Sequence, residues 1–533
     1  MKKFPSVFIP HYFQIIRASA LTIFLSFPSL FVNGSQPIPL TISPDIRHQT
    51  IEGFGASDAW NVNFVGKHWS HEEKSKMAER LFSKELDSTG SPKGIGLSIW
   101  RFNIGAGSAA QGDSSQIKNH TRRTEGFLNA DGSYDWSKQN GQQWFFKRAR
   151  DYGVESLIAF SNSPPISMTR NGIAHGYGGY ISNLNKKDYP LFASFLCDVV
   201  SHFANEGICF DKISPINEPQ YEWKTTKQEG SPWTNEEIFK VVRALNKELI
   251  ERNLDTKILF PEAADWRNLY KTKGQDTHSH QLRAFFDPSS ETYLGNIERV
   301  GKRFAVHSYW TNQSEKSIVE SRSQSLALAQ KLGVQLHQTE YSLIALDRIE
   351  HNKPSNGWEV AQFIAKIIHY DLTHANVASW SFWTSMAYEN NNLNRYILLR
   401  LLPEKDKALA SGGTHQATKS LFSLGNYSRF IRPGYQRIEA THPPVYNEQN
   451  ETVLLVSAFI SPDKSEMICV LSNLSKSPIE VSLPILKENS STKRKTYLTD
   501  SEFNLSLRNS LLIQNTITLP PQSIVTIVEA SKL

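Results

Sequence analysis

The sequence predicts an α/β protein: a (β/α)8 TIM barrel carrying an attached antiparallel β-sandwich. Three observations predict it. Eight short apolar runs recur between Ile51 and Leu424, longer helical patterns separate them, and the last hundred or so residues switch to alternating apolar and polar positions. A chain of 533 residues has room for both parts.

The eight runs are Ile51–Ala56, Leu97–Asn103, Ser156–Phe160, Lys212–Ile216, Lys257–Phe260, Phe304–His307, Gln335–Gln338 and Val377–Phe382. They are continuous rather than alternating, as parallel strands covered on both faces should be. Helical patterns at Gln142–Asp151, Tyr189–Phe203, Asn235–Glu251, Ser317–Leu332 and Trp358–Thr373 lie between them. Gly153, Asn253 and Gly333 stand where such helices end, just before the next strand. Repeated βα units of this kind close into a barrel. The competing open doubly wound sheet wants a Gly-rich phosphate loop after its first strand, and the sequence has none there.

Beyond the barrel, Thr452–Ser461, Met467–Ser472, Ile479–Leu483, Lys495–Leu498, Thr516–Leu519 and Ser523–Ala530 read as antiparallel strands. Ile38–Ile42 and Gln49–Ile51 also look like strands, so the β domain is expected to be discontinuous. The expected division is a leader over residues 1–34, sandwich strands over 35–50, the catalytic barrel over 51–432 and the C-terminal sandwich over 433–533. Lys2 and Lys3 precede an apolar stretch from Ala18 to Val32, which reads as an export signal, with an uncleaved anchor as the alternative. The stretch is short and interrupted by Ser and Pro, a poor membrane span. The expectation is an exported protein, periplasmic, surface-bound or secreted, with no stable membrane insertion after cleavage.

Composition excludes several classes. Apolar residues are 39% and charged residues 21%, ordinary for a globular chain. The net charge of +6 is thinly spread, with no basic run interleaved with aromatics, so no nucleic-acid partner is expected. Three cysteines offer neither a disulfide framework nor a zinc cluster. No HExxH or GxSxG occurs, which argues against a metallohydrolase or a serine hydrolase.

In a barrel of this type the reacting groups stand at the C-terminal ends of the strands. The fourth run leads into Asn217-Glu218-Pro219 and the seventh into Thr339-Glu340-Tyr341. These strands lie on roughly opposite sides of the mouth, so the two carboxyls can bracket a glycosidic bond. A retaining glycosidase needs one nucleophile and one acid/base at about 5–5.5 Å. Glu218 is assigned the proton, because a neighbouring carboxylate raises its pKa, and Asn217 can bond a sugar hydroxyl. Arg101 can hold Glu340 ionised, as can the phenol of Tyr309 near His307. Trp383 can floor a sugar pocket. Each has a structural alternative: Arg101 as a barrel ion pair, His307 as a core histidine, Trp383 as core.

Those residues resemble glycoside hydrolase family 30. Gln49-Thr50-Ile51-Glu52-Gly53-Phe54-Gly55-Ala56-Ser57 resembles its first strand, Ile216-Asn217-Glu218-Pro219 its acid/base motif and Thr339-Glu340 its nucleophile strand. Gly425-Asn426-Tyr427-Ser428-Arg429-Phe430-Ile431-Arg432-Pro433-Gly434 resembles the passage into its β domain. The resemblance implies Glu218 as acid/base and Glu340 as nucleophile. It places Arg101, Asn217, His307, Tyr309 and Trp383 at the sugar, with retention of configuration and no metal or organic cofactor.

The chain departs from glucosylceramidase-like members after the third strand. Ser163-Pro164-Pro165-Ile166-Ser167-Met168 lacks the Trp they carry after Ser-Pro. Asn103-Ile104-Gly105-Ala106-Gly107, Asn162-Ser163-Pro164-Pro165 and Trp223 ahead of Gln228-Glu229-Gly230 are more similar to the endo-β-1,6-galactanase branch. That resemblance adds Asn103, Asn162, Trp223 and Trp310 as substrate contacts. The expected partner is a poly- or oligosaccharide, acted on by a monomer. Another family 30 specificity (β-1,6-glucanase, xylanase, β-fucosidase, β-xylosidase) and a non-catalytic carbohydrate-binding barrel are the alternatives.

Overall fold

A computed structural model describes residues 36–176, 178–224, 226–344, 357–388, 397–406, 408–484 and 493–530. The expected leader over residues 1–34 lies outside them. From Pro37 onward the chain forms one compact unit.

Eight parallel strands form one sheet: β1 (Gly53–Ser57), β2 (Ile99–Ile104), β3 (Ser156–Ser161), β4 (Lys212–Ser214), β5 (Lys257–Ile258), β6 (Arg303–His307), β7 (Gln335–Tyr341) and β8 (Ser379–Phe382). Their order is β5-β4-β3-β2-β1-β8-β7-β6. Every run expected from the sequence is among them. The sheet curls until its edges meet: just past β5, Ala263 forms a parallel bridge with Val306 of β6. There Ala263 N donates to Ala305 O at 3.1 Å and His307 N to Ala263 O at 2.7 Å. Inside the curl, Ile99, Ile158, Leu259 and Ala305 pack as one apolar layer. All residues of β1, β2, β3 and β8 are buried, which explains their continuous apolar composition.

Helices Asn140–Asp151, Tyr189–Asn205, Asn235–Glu251, Glu315–Leu332 and Trp358–His374 cover the outside. Local signals set their ends. Thr234 and Glu237 form a reciprocal capping box that starts Asn235–Glu251. Gly333, at φ 65°, ends Glu315–Leu332 in the left-handed region where a side chain is penalised.

The β-rich part holds two sheets around a shared apolar core. The larger has seven strands: Ser506–Leu507, Lys493–Thr499, Ser523–Ala530, Glu466–Asn473, Leu454–Ile460, Gln436–Thr441 and Thr41–Thr50, in that spatial order. The smaller orders Ile38–Pro39, Ile479–Ser482, Thr516–Leu519 and Leu512–Ile513. Leu454, Cys469 and Val525 of one meet Val481, Ile517 and Leu519 of the other in one cluster. The strands ahead of the parallel sheet do join these sheets. Thr41–Thr50 pairs antiparallel with Gln436–Thr441, and Ile38–Pro39 pairs parallel with Ile479–Ser482. Where the sequence suggested two separate strands at 38–42 and 49–51, the second is continuous over Thr41–Thr50.

Strands Gln436–Thr441, Ser506–Leu507 and Leu512–Ile513 were not read from the sequence, nor was a small sheet of Met386–Ala387, Leu399–Pro403 and Gly413–Ala417. Among the described residues no helix is long and apolar enough to cross a membrane.

Candidate active site

The C-terminal ends of the parallel strands bring the expected residues together. Glu218 follows β4, and its backbone N–H donates to Glu262 O at 3.0 Å beyond β5. Glu340 lies on β7. Oxygens of these two carboxyls and a nitrogen of His307 all fall within 4.8 Å of one another. His307, at the end of β6, bridges the group. Its Nδ1 lies 3.0 Å from Glu218 Oε1 and 3.8 Å from Glu340 Oε1, and its Nε2 lies 3.1 Å from Glu262 Oε2.

Arg101 enters from β2 and is fully buried. Its Nη1 donates to Thr339 O and Ser57 Oγ, both at 2.8 Å, and reaches Glu340 Oε2 at 3.4 Å. Its Nη2 reaches Glu262 Oε1 at 3.4 Å. The guanidinium also lies over the Phe160 ring, 4.5 Å from its centroid. Tyr309 donates its hydroxyl to Glu340 Oε1 at 3.1 Å.

Charge follows from this packing. Burial alone would raise the Glu262 carboxyl, but Arg101 and His307 outweigh it and hold it at about 2. Burial alone would deprotonate His307, but Glu340, Glu218 and Glu262 raise it to about 10. Burial and the negative charge of Glu340 push the Tyr309 phenol well up, so it stays a donor. Glu340 is raised, by burial first; His307 and Arg101 oppose this, and Glu218 and Glu262 add to it. Two cations thus face three carboxyls, and with Glu262 ionised the cluster is neutral when the other two share one proton. The spacing of Glu218, His307 and Glu340 would also suit a metal ion.

The pocket above these groups is lined by Asn217, Glu218, Tyr221, Trp223, Tyr309, Trp310, Glu340 and Trp383, among others. Trp383 belongs to a small cluster with Ala59, Trp60 and Phe160, and meets Trp60 edge-on at 5.0 Å. Trp223 is buried and donates Nε1 to Glu218 O at 3.1 Å. Gly230 presses against its ring: a Cβ there would come within 2.2 Å of Trp223 Cδ2, so only glycine fits. Trp310 is 37% exposed at the rim. Glu218, Trp223, Glu262 and Trp310 all hold positive φ (42°, 54°, 58° and 53°), a region costly for a side chain, and all four stand at this site.

Arg101 and His307 lie behind the lining and act on it through the carboxyls. Asn103 and Asn162 do not line the pocket. They face each other at 3.5 Å on neighbouring strand ends, leaving Asn103 Nδ2 and Asn162 Oδ1 without partners; Asn217 Oδ1 and Trp60 Nε1 are also buried without partners. Sequence reasoning missed Glu262. It stands two residues past the fifth apolar run, so extending the strand-end rule that far would have found it.

Comparison with known proteins identifies the family. The sequence profile of O-glycosyl hydrolase family 30 matches residues 37–394. A glucuronoxylanase of Bacillus subtilis is 23% identical over 403 residues, covering 73% of this chain and 78% of the relative. The crystal structure of a conserved exported protein from Bacteroides fragilis superposes with a TM-score of 0.84 at 32% identity, covering 92% of this chain and 99% of that one. The catalytic domain of a xylanase from Talaromyces cellulolyticus superposes at 0.65 with 22% identity, over 92% and 100%. With the profile spanning well over half its length, the chain belongs to glycoside hydrolase family 30 and is an O-glycosyl hydrolase.

Proposed function

We propose that the protein cleaves β-linked glycans with retention of configuration, by double displacement in a (β/α)8 barrel. Glu340 is the nucleophile and Glu218 the acid/base. The observation that carries this is the approach of the two carboxyls, with oxygens within 4.8 Å around one histidine. That separation fits a nucleophile touching the anomeric carbon and leaves no room for the intervening water an inverting pair needs, at about 6.5–9.5 Å.

In the first step Glu340 attacks the anomeric carbon while Glu218 gives its proton to the departing glycosidic oxygen. In the second, Glu218 takes a proton from water, the water oxygen bonds to the anomeric carbon, and Glu340 leaves as carboxylate. Arg101 and Tyr309 both donate to Glu340, which favours its ionised form once a glycosidic oxygen draws the shared proton to Glu218. The partnerless Oδ1 of Asn217, which lines the pocket, is an acceptor that a sugar hydroxyl would satisfy, and Asn103 and Asn162 stand behind it as further polar groups of the sugar site. Trp223 and Trp310 flank the acid/base side, and Trp383 supplies an apolar floor.

For the polymer, the loop motifs at 103–107, 162–165 and 223–230 support endo-β-1,6-galactanase activity. The likeness to a glucuronoxylanase and a xylanase supports xylan as the second reading. The likeness to an exported protein supports residues 1–34 as an export leader. Residues 51–432 are the catalytic unit, 35–50 and 433–533 form its sandwich, and the enzyme acts as a monomer without cofactor.

Incubation of the mature chain with β-1,6-galactan, β-1,6-glucan and xylan, with products followed by chromatography and anomeric proton NMR, tests both levels. Galacto-oligosaccharides released first as the β-anomer support galactanase action. Products from xylan alone replace galactan with xylan, and first-formed α-products sink the retaining mechanism. The Glu340→Gln chain serves as blank.

A further inference from the structure

A cleft of about 480 Å³ lies away from the active site, between helix Trp358–His374 and the β sheet at Gln436–Thr441 and Leu454–Ile460. Its charged groups are unevenly matched. Both acids that line it are engaged: Glu439 with His48 Nε2 at 2.7 Å, and Glu315 with Lys366 Nζ at 2.9 Å and Thr452 Oγ1 at 2.6 Å. Arg437, by contrast, is only 6% exposed, and among the described residues it makes no ion pair. Its guanidinium donates to two neutral amides, Gln49 Oε1 at 3.1 Å and Asn376 Oδ1 at 2.9 Å. His369 is 8% exposed and lines the same cleft, with no hydrogen bond to its ring among the described residues. His374 and His442 complete that side.

Arg437 is thus a buried cation whose hydrogen bonds all go to neutral amides, with Glu439 as its opposing charge, and the His369 ring beside it packs on Tyr370 with its nitrogens open to a further partner. The electrostatics agree. Burial, then the neighbouring charges of His374, Arg437, His442 and Lys366, hold His369 well below its usual range. Burial also brings Arg437 down to about 10, with Glu439 opposing. An anion would relieve both groups. The cleft is large for a free inorganic oxyanion, and beside Arg437 and His369 it offers the Thr441 hydroxyl and the Tyr370 ring.

We propose that this cleft is a second carbohydrate site that binds a uronate, with the sugar carboxylate on Arg437 and His369. The site takes an acidic glycan unit outside the catalytic pocket and tethers the enzyme to an acidic polysaccharide. It stands independently of Glu218 and Glu340, so its failure would leave the catalytic reading untouched.

Isothermal titration of the full chain with D-glucuronate, D-glucose and sodium sulfate tests it. The expected result is saturable one-to-one glucuronate binding, at least about tenfold tighter than glucose. Arg437→Gln and His369→Leu should each weaken it at least about tenfold, with hydrolysis of a neutral soluble substrate kept within about twofold. Should either variant fail to fold, His442→Ala must still weaken glucuronate binding. Equal binding of glucose, or glucuronate binding untouched by these changes, overturns the site. Sulfate binding as tightly as glucuronate overturns the sugar and leaves a free oxyanion.

Discussion

At the mouth of the parallel sheet, Arg101 and His307 are buried against carboxylates on several sides. In the cleft under the β sheet, Arg437 is nearly as buried but hydrogen-bonds only to amides, and the His369 ring packs on Tyr370 with no hydrogen bond among the described residues. The first group is complete without a ligand, because each charge holds its neighbour in place. The second has one buried cation, Arg437, with no carboxylate bonded to it among the described residues. A reaction centre needs its geometry set before the substrate arrives, whereas a binding site can leave part of its electrostatics for the ligand to supply. Substitutions at successively more distant points of the first group test how far each charge depends on its neighbour.

Removing the proposed nucleophile should do most. Glu340→Gln should lower kcat by about 10⁴-fold or more, with circular dichroism unchanged. A smaller loss would move the nucleophile elsewhere. Glu218→Gln should cost about 10²–10⁴-fold on a polymer. An aryl glycoside with a good leaving group should lose much less in its first step, because that leaving group needs no proton; equal losses on both would remove Glu218 from the acid role.

Arg101→Met strikes the group from behind. It leaves two carboxylates buried without their guanidinium, and about 3–5 kcal/mol of stability should go, read from urea unfolding. An unchanged midpoint would mean that the pairing is electrostatically idle.

Glu262→Gln is subtler. The His307 pKa is raised on folding, to about 10. The stability it contributes is therefore full below its unfolded pKa, about 6.5, and is lost as pH rises through about 10. Without Glu262 the His307 pKa should fall, the alkaline limb of kcat/KM should move to lower pH, and the rate at the optimum should drop by about tenfold. A tenfold loss with an unmoved limb would make Glu262 purely structural.

Much of this was legible in the sequence, for reasons that differ by region. The parallel strands read clearly because both faces are covered, by helices outside the curl and by packed side chains within it, so each is a continuous apolar run; Ser156–Ser161 is buried throughout. Helix Asn235–Glu251 could be placed to the residue because Thr234 and Glu237 mark its start. Glu218 and Glu340 were legible because strand ends point to the mouth. Glu262 was not, since β5 ends at Ile258 and the chain reaches it through a further bridged turn. Asn103 and Asn162 were named, but their mutual pairing needs coordinates. The sheet of Met386–Ala387, Leu399–Pro403 and Gly413–Ala417 was missed because its strands have two to five residues and only Leu399–Pro403 carries much apolar signal. The cleft beside Arg437 is assembled from segments far apart in sequence, none of which carries a motif.

The antiparallel pairing of Thr41–Thr50 with Gln436–Thr441 bears on the order of assembly. His48 and Glu439 meet across 391 positions of sequence. Thr41–Thr50, synthesised early, must wait until Gln436–Thr441 emerges before its neighbour exists. Until then it is an exposed edge, and its backbone groups are open to pairing with another chain. It carries Pro44, Asp45, Arg47 and His48, residues that discourage such pairing while it waits. A chain that stopped short of Gln436 would keep every strand of the parallel sheet and still leave that edge open, so its expected failure is self-association rather than a defect of the catalytic groups.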